Sequence, residues 1–259
     1  MKWPNTLTLV RHGESAYNEL KIIKKTDSLY QNFLQAYENR QNDPDKAVEL
    51  ARKIVSTKHL NLDNGDHDTA LTKLGQTQSE SMAKKLKTLI PLPDIILLSP
   101  YKRTKSTLEG MFTGWPELKT VTVKEEERIR EQEHGLTLAF SDWRVFTSLY
   151  PDQEILKALE GPYWYRFPQG ENVPDVRERL RSFTTTLTRD YNNKNVLVIT
   201  HHLSILSLRA NLERLSAEEF IRLDEEEKPI NCGVTIYKGN PQLGQDGKLL
   251  LDTYNAKLY

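Results

Sequence analysis

Thiols are nearly absent from this chain: a single cysteine, Cys232, stands among 259 residues. One thiol closes no internal disulfide and supplies none of the paired sulfur ligands of structural zinc sites, so a reducing, cytoplasmic setting is the expectation. Net charge is missing as well. The 36 basic residues balance 36 acidic ones, which leaves no overall field to draw the protein to nucleic acid or to a membrane surface. No segment approaches the ~18 consecutive apolar residues of a membrane span, and Met1-Lys2-Trp3-Pro4-Asn5 leads into a short apolar stretch without the long core of a signal peptide. The expected protein is soluble and unprocessed. Several catalytic signatures are also lacking. There is no G-x-S-x-G, H-E-x-x-H or C-x-x-C pattern, and Gly239 to Gly244 has P-loop glycine spacing but continues into Gln245-Asp246 where Lys and Ser or Thr are needed. Serine-hydrolase, zinc and P-loop chemistries lose their support, and no metal or cofactor is expected.

What is present reads as an α/β chain. Three short apolar runs, Leu7 to Val10, Ile95 to Leu98 and Val196 to Ile199, have the continuous hydrophobic character of buried strands in a mainly parallel sheet flanked by helices on both faces. Each is followed by small polar residues and then a helical pattern. The helix candidates are Thr72 to Leu89, Tyr101 to Met111, Val173 to Tyr191 and Leu203 to Arg214. Gly233 to Tyr237 and Leu249 to Thr253 look like further strands. Between the first strand and Thr72, Ser28 to Gln41 and Asp45 to Val55 show helical spacing on either side of Asn42-Asp43-Pro44. We read one catalytic domain over 1–259 with a helical insertion at about 19–67, either a peripheral decoration or a substrate lid. The charge runs Lys124 to Arg128 and Asp224 to Lys228 read as solvated surface.

In an open parallel sheet, ligands collect beyond the carboxyl ends of the strands, where helix N-termini present free N–H groups to anions. The first strand delivers Arg11-His12-Gly13-Glu14-Ser15, the second Ser99-Pro100-Tyr101-Lys102-Arg103-Thr104, and the third Thr200-His201-His202. Arginines and histidines thus gather at one sheet edge. A phosphoryl group suits such a cluster, because guanidinium forks match its oxygens and imidazole can attack phosphorus. Gly13 would let the backbone approach the anion closely.

The run Leu9-Val10-Arg11-His12-Gly13-Glu14-Ser15, with Asn18 three residues on, resembles the signature of the histidine phosphatase superfamily, in its phosphoglycerate mutase-like branch. Further matches follow in order at Leu71 to Gly75, Ser99 to Thr104, Arg130 to Gly135, Val198 to His201 and Asn231 to Thr235. The resemblance implies that His12 is the nucleophile, that Arg11, Arg103 and His201 bind the phosphoryl oxygens, and that Glu131 is the general acid. Ser15 and Asn18 would be lesser phosphate contacts. Glu133, two residues from Glu131, competes for the acid role, but register with Gly135 points to Glu131. Ser15 is otherwise a helix cap and Asn18 polar surface. At His202 the family usually has a small residue, so this side chain either caps the following helix or narrows the pocket. In the aromatic segment Gly161 to Asn172, most rings are expected to pack in the core, with Arg166 and Glu171 as substrate candidates. His59, His67 and His134 are given no role.

Hydrolysis of a small phosphomonoester through a phosphohistidine is the expected reaction. The alternatives are a phosphoglycerate mutase and a catalytically silent phosphate-binding protein. Against the mutase, the resemblance implies a Gly-Leu-Asn-Lys element after the acid block, whereas Gly135 is followed here by Leu136 to Trp143, without a lysine. Substrate identity and oligomeric state do not follow from the sequence.

Overall fold

The computed structural model describes residues 2–259. In chain order the elements begin with β1 (Thr6–Arg11), α1 (Ala16–Thr26), α2 (Ser28–Glu38), α3 (Pro44–Ser56), α4 (Lys73–Leu86), β2 (Ile95–Leu98), α5 (Lys102–Gly114) and β3 (Val123–Glu125). They continue with α6 (Trp143–Leu149), α7 (Pro151–Trp164), α8 (Val173–Asp190), β4 (Asn195–Thr200), α9 (His202–Glu213), α10 (Ala217–Glu226), β5 (Val234–Asn240) and β6 (Lys248–Ala256). No helix of the described residues is long and apolar enough to cross a membrane. The chain divides into two compact units, one formed by the segment up to Ser15, Ala70–Glu131 and Asp175–Tyr259, the other by Ala16–Thr69 and Gln132–Pro174.

The first unit is built on a six-stranded sheet of order β3-β2-β4-β1-β5-β6. The pairs β3/β2, β2/β4 and β4/β1 are parallel, and β5 runs antiparallel to both β1 and β6, so the sheet is mostly parallel as expected. Consecutive residues of β1, β2 and β4 are buried, which is how a strand covered on both faces reads. On one face, Val10, Ile96, Leu98, Leu197, Ile199, Val234 and Ile236 share a core with Met82, Ala83 and Leu86 of α4 and Leu108 and Met111 of α5. These strand positions repeat every second residue, as a one-sided core requires. The intervening Leu7, Leu9, Val196 and Val198 are also fully or nearly fully buried, and α9 lies against β1. Strand β3 escaped the sequence reading, since Val123, Lys124 and Glu125 are all exposed on an edge strand and show no apolar period.

In the second unit, Tyr30, Phe33 and Tyr37 of α2, Leu50, Ala51 and Ile54 of α3, and Val145 of α6 form a separate core. The stretch expected to be an insertion holds three α-helices where two were expected, and the first of them begins at Ala16. Helix α1 gave no apolar period to read, because its buried residues are only Leu20 and Lys24. The Lys24 ammonium donates to the Ser141 carbonyl at 2.9 Å, and Tyr30 donates its hydroxyl to Asp142. Asp142 in turn caps α6 by accepting from Arg144 N–H.

One close approach shapes the loop after β1. A Cβ on Gly75 would lie 2.1 Å from the Glu14 carbonyl oxygen, and one on Gly13 would lie 2.5 Å from the Gly75 carbonyl oxygen. The backbone of α4 therefore touches the loop directly, and Thr72 Oγ1 adds hydrogen bonds to Glu14 Oε1 at 2.9 Å and from Gly75 N–H at 3.0 Å. The approach of this helix is by itself enough to require a glycine at position 13, a contact the sequence did not reveal. We expect Gly75→Ala to destabilise the protein by about 2 kcal/mol or more, and Gly65→Ala, whose Cβ would meet nothing within 4 Å, to stay within about 0.5 kcal/mol. Denaturant unfolding checks this; equal midpoints for the two variants would remove the argument.

Candidate active site

Strand register assembles the site. Arg11 pairs with Thr200, and Leu98 pairs with Ile199, so the residues that follow, His12, His201 and Ser99, emerge side by side at the carboxyl edge. The His12 and His201 ring centroids are 5.2 Å apart. Arg103 enters from the first turn of α5. Its Nε donates to His201 Nδ1 at 3.2 Å, and His201 Nε2 lies 2.7 Å from Ser99 Oγ. An arginine N–H can only donate, so His201 Nδ1 must be the acceptor and the ring proton sits on Nε2, facing Ser99. Tyr101 closes this corner, its ring edge-on to His201 at 4.9 Å and beneath the Arg103 guanidinium at 4.7 Å.

His12 is 3 % exposed. Its Nδ1 lies 2.7 Å from the Gly13 carbonyl oxygen. A carbonyl only accepts, so the proton is on Nδ1 and Nε2 carries the lone pair. Burial, then Arg103 and Arg11, hold the His12 pKa well below its ordinary value, and the imidazole is neutral. His201 is lowered in the same way by burial, Arg103, His12 and Arg11. The loop itself is clamped. Gly13 N–H donates to Thr107 Oγ1 at 3.0 Å, Glu14 N–H to Gln78 Oε1 at 3.0 Å, Asn231 Nδ2 to the His12 carbonyl at 3.2 Å, and Cys232 N–H to the Arg11 and His12 carbonyls at 3.1 and 3.2 Å.

Arg11 donates Nη1 to the Pro229 carbonyl at 2.6 Å. Its Nε is buried with no hydrogen-bond partner among the described residues. A buried guanidinium N–H left unpaired is costly, and an incoming phosphoryl oxygen would satisfy it. Burial lowers the Arg11 pKa, while the charge of Glu131 opposes that shift. Glu131 Oε1 accepts from Leu203 N–H in the first turn of α9 at 3.3 Å. The segment leading to it is held by Thr200 Oγ1 on the Ile129 carbonyl at 2.5 Å, Ser204 Oγ on the Arg130 carbonyl at 2.5 Å, and Arg179 on the Arg128 and Glu131 carbonyls at 2.6 and 3.1 Å.

His202 does not cap α9. Its Nε2 lies 2.6 Å from Asp224 Oδ1 on α10, and Lys228 Nζ lies 3.5 Å from the same oxygen. Asp224 is therefore no mere surface charge, contrary to the sequence reading of its run. Ser15 is buried and bridges to Leu71. Asn18, half-buried on α1, and the exposed Arg166 belong to the second unit. Sequence reasoning missed Ser99, Thr107, Asn231 and Asp224 as supports. Ser99 and Asn231 lay inside motifs already noticed, whereas Thr107 and Asp224 carried no signal beyond ordinary helix positions. Among the described residues no group of three or more His, Cys, Asp or Glu is placed to hold a metal ion.

The family model for the histidine phosphatase superfamily (branch 1) matches residues 56–244. The chain belongs to this superfamily. That match includes Arg103, Glu131 and His201 and lies beyond Arg11 and His12. Superfamily relatives include a phosphoglycerate mutase-like protein of Arabidopsis thaliana, 27 % identical over 205 residues that cover 68 % of this chain and 70 % of the relative. A broad-range acid phosphatase of Saccharomyces cerevisiae is 31 % identical over 107 residues, 38 % of this chain and 29 % of the relative. Among solved structures, a mycobacterial glucosyl-3-phosphoglycerate phosphatase shares the superfamily fold with a TM-score of 0.63 at 20 % identity, over 97 % of this chain and 99 % of that one.

Three histidines here, His12, His201 and His202, have lowered pKa values when folded. Each is neutral in the native state at a pH where an unfolded histidine still binds a proton, so their contribution is present above the unfolded pKa of about 6.5 and is lost as pH falls below it. We expect unfolding free energy to be flat above about pH 7.5 and to decline below about pH 6.5, by as much as about 1.4 kcal/mol per pH unit for each histidine. Urea unfolding from pH 8 to 5 tests it, with His12→Asn reducing the slope. A slope that His12→Asn leaves unaltered would contradict the assignment.

Proposed function

We propose that the protein hydrolyses a small phosphomonoester through a phosphohistidine on His12. The observation that carries this reading is the tautomer of His12: with Nδ1 committed to the Gly13 carbonyl, the Nε2 lone pair is presented as a neutral nucleophile beside two guanidinium groups. Nε2 attacks phosphorus, the bond to the leaving oxygen breaks, and Glu131 gives that oxygen a proton. Water then attacks the phosphohistidine, its proton passes to Glu131, and the P–N bond breaks. Arg11, through its unpaired Nε, and Arg103 stabilise the transferring charge. His201 aims Arg103 and shares its Nε2–H between Ser99 and a phosphoryl oxygen. Ser15 supports the loop that carries His12, and Asn18 and Arg166 are the remaining candidates for substrate contact. Arginine handles the phosphoryl charge in this reading, so no metal is required.

His12→Ala is expected to lower phosphate release by about 10⁴-fold or more with the fold intact, and the wild-type phosphoenzyme is expected to be acid-labile, as a phosphoramidate is. Activity above a few per cent in the variant would sink the mechanism. Exhaustive chelation with EDTA is expected to leave the rate unchanged; loss of activity with EDTA and its return with magnesium would show the site misread.

Hydrolysis is preferred to mutase chemistry on the segment after Glu131. A mutase must hold glycerate while it reorients, and Leu136 to Trp143 supplies no lysine for its carboxylate. Phosphate release from monoesters without 2,3-bisphosphoglycerate is the expected result. Fast, primer-dependent interconversion of 3- and 2-phosphoglycerate with negligible phosphate release would overturn it.

A further inference from the structure

Gly13 takes part in the site with both of its backbone groups. Its carbonyl accepts from His12 Nδ1 at 2.7 Å, the contact that leaves the Nε2 lone pair open, and its N–H donates to Thr107 Oγ1 at 3.0 Å. The Thr107 hydroxyl in turn donates to the Arg103 carbonyl, four residues back on α5, at 2.7 Å. A hydroxyl carries one proton and two lone pairs, so the proton given to Arg103 leaves a lone pair for Gly13. Thr107 is fully buried. A threonine bonded to the carbonyl four residues back is common in helices and carries no message alone. Here the same oxygen also reaches outside its helix, and it joins the residue that bears the Arg103 guanidinium to the residue that holds His12.

Glycine is the residue whose backbone turns most freely, so a glycine whose carbonyl orients a side chain needs its two flanking peptide groups fixed. In the peptide group before Gly13, the His12 carbonyl accepts from Asn231 Nδ2 and from Cys232 N–H, each at 3.2 Å, and the N–H is the one held by Thr107. In the group after it, the carbonyl holds His12, and the Glu14 N–H donates to Gln78 Oε1 at 3.0 Å. Movement towards α4 is blocked, since a Cβ on Gly13 would already lie 2.5 Å from the Gly75 carbonyl oxygen. Removing the Thr107 hydroxyl would leave the Gly13 N–H buried without that acceptor, and turning the Gly13 backbone to relieve it would carry the carbonyl away from His12.

We propose that Thr107 is a positioning residue for the nucleophile: its hydroxyl ties Gly13 to the turn of α5 that carries Arg103, and the Gly13 carbonyl then holds His12 in the tautomer that presents Nε2. The inference rests on His12 being the nucleophile of the proposed reaction. Thr107 touches neither substrate nor the reacting atoms. It acts through Gly13, and it sets the imidazole and the guanidinium at the two ends of one chain of hydrogen bonds, so that attack and charge stabilisation depend on the same hydroxyl.

The test compares Thr107→Val, close in shape but without the hydroxyl, with Thr107→Ser, which keeps it. On p-nitrophenyl phosphate, Thr107→Val is expected to lower kcat by about tenfold or more with KM changed by less than about threefold, and Thr107→Ser to recover most of the rate. Nitrogen NMR of the histidine rings reads the tautomer in the intact protein. Wild type and Thr107→Ser are expected to show His12 protonated at Nδ1, and Thr107→Val a mixture with the Nε2-protonated form. An unchanged kcat in Thr107→Val, or a fall with the Nδ1–H form fully retained, would overturn the positioning role. Should Thr107→Val not fold, hydrogen exchange in the wild type decides: a Gly13 amide as slow as those of β1 supports the bond to Thr107, and fast exchange refutes it. If His12→Ala is inactive while Thr107→Val matches wild type, only the positioning role is lost; if His12→Ala stays active, both fall together.

Discussion

The parallel pairing of β1 with β4 is the constraint on which the rest of the site depends. The partners Arg11 and Thr200 are the last residues of their strands, and each strand delivers its histidine one residue later. A one-residue slip would turn every side chain of β1 to the opposite face. The register is held because both faces of β1 are buried and because Thr200 Oγ1 ties the end of β4 to the loop that carries Glu131. The candidate nucleophile His12, its neighbouring imidazole and the candidate acid thus owe their proximity to backbone pairing, with side-chain contacts refining it.

The electrostatics of the site work by concentration. A chain with no net charge places two arginines, two buried histidines and the part-buried His202 around one edge of one sheet, and burial first, then the arginines, keep His12 and His201 from protonating. In water such a pair of cations would be screened within about 10 Å; in this buried setting they add to the larger effect of burial itself in keeping His12 neutral. The cost appears in the unsatisfied Nε of Arg11. A protein interior tolerates such a group where a ligand completes it.

The sequence made the buried strands legible because residues covered on both faces have no polar alternation to obscure them, as at Val196 to Ile199. The strand ends could be read for the same reason, since chemistry-bearing residues follow directly upon apolar ones. Elements held by polar contacts escaped. Helix α1 packs through Leu20 and Lys24, β3 lies on an exposed edge, and Asp224 was hidden in a charge run that is solvated along most of its length. The contact of Gly13 with α4 went unread, because the helix it touches comes from sixty residues further on and a sequence does not show which backbone approaches which. The glycine pair at 13 and 75 shows that the loop after β1 and a distant helix can constrain one another through main-chain contact alone.

Cys232 holds the loop after β1 through its backbone N–H, and its side chain is sealed beneath, with the thiol pKa pushed up to about 12 by burial. At pH 7 roughly one molecule in 10⁵ would carry the thiolate. Peroxides and alkylating agents attack thiolates, so the sole sulfhydryl of this chain offers them almost no foothold. A site that uses a nitrogen nucleophile, with its only sulfhydryl kept protonated and out of reach, would be chemically indifferent to oxidant bursts that silence sulfur-dependent catalysis.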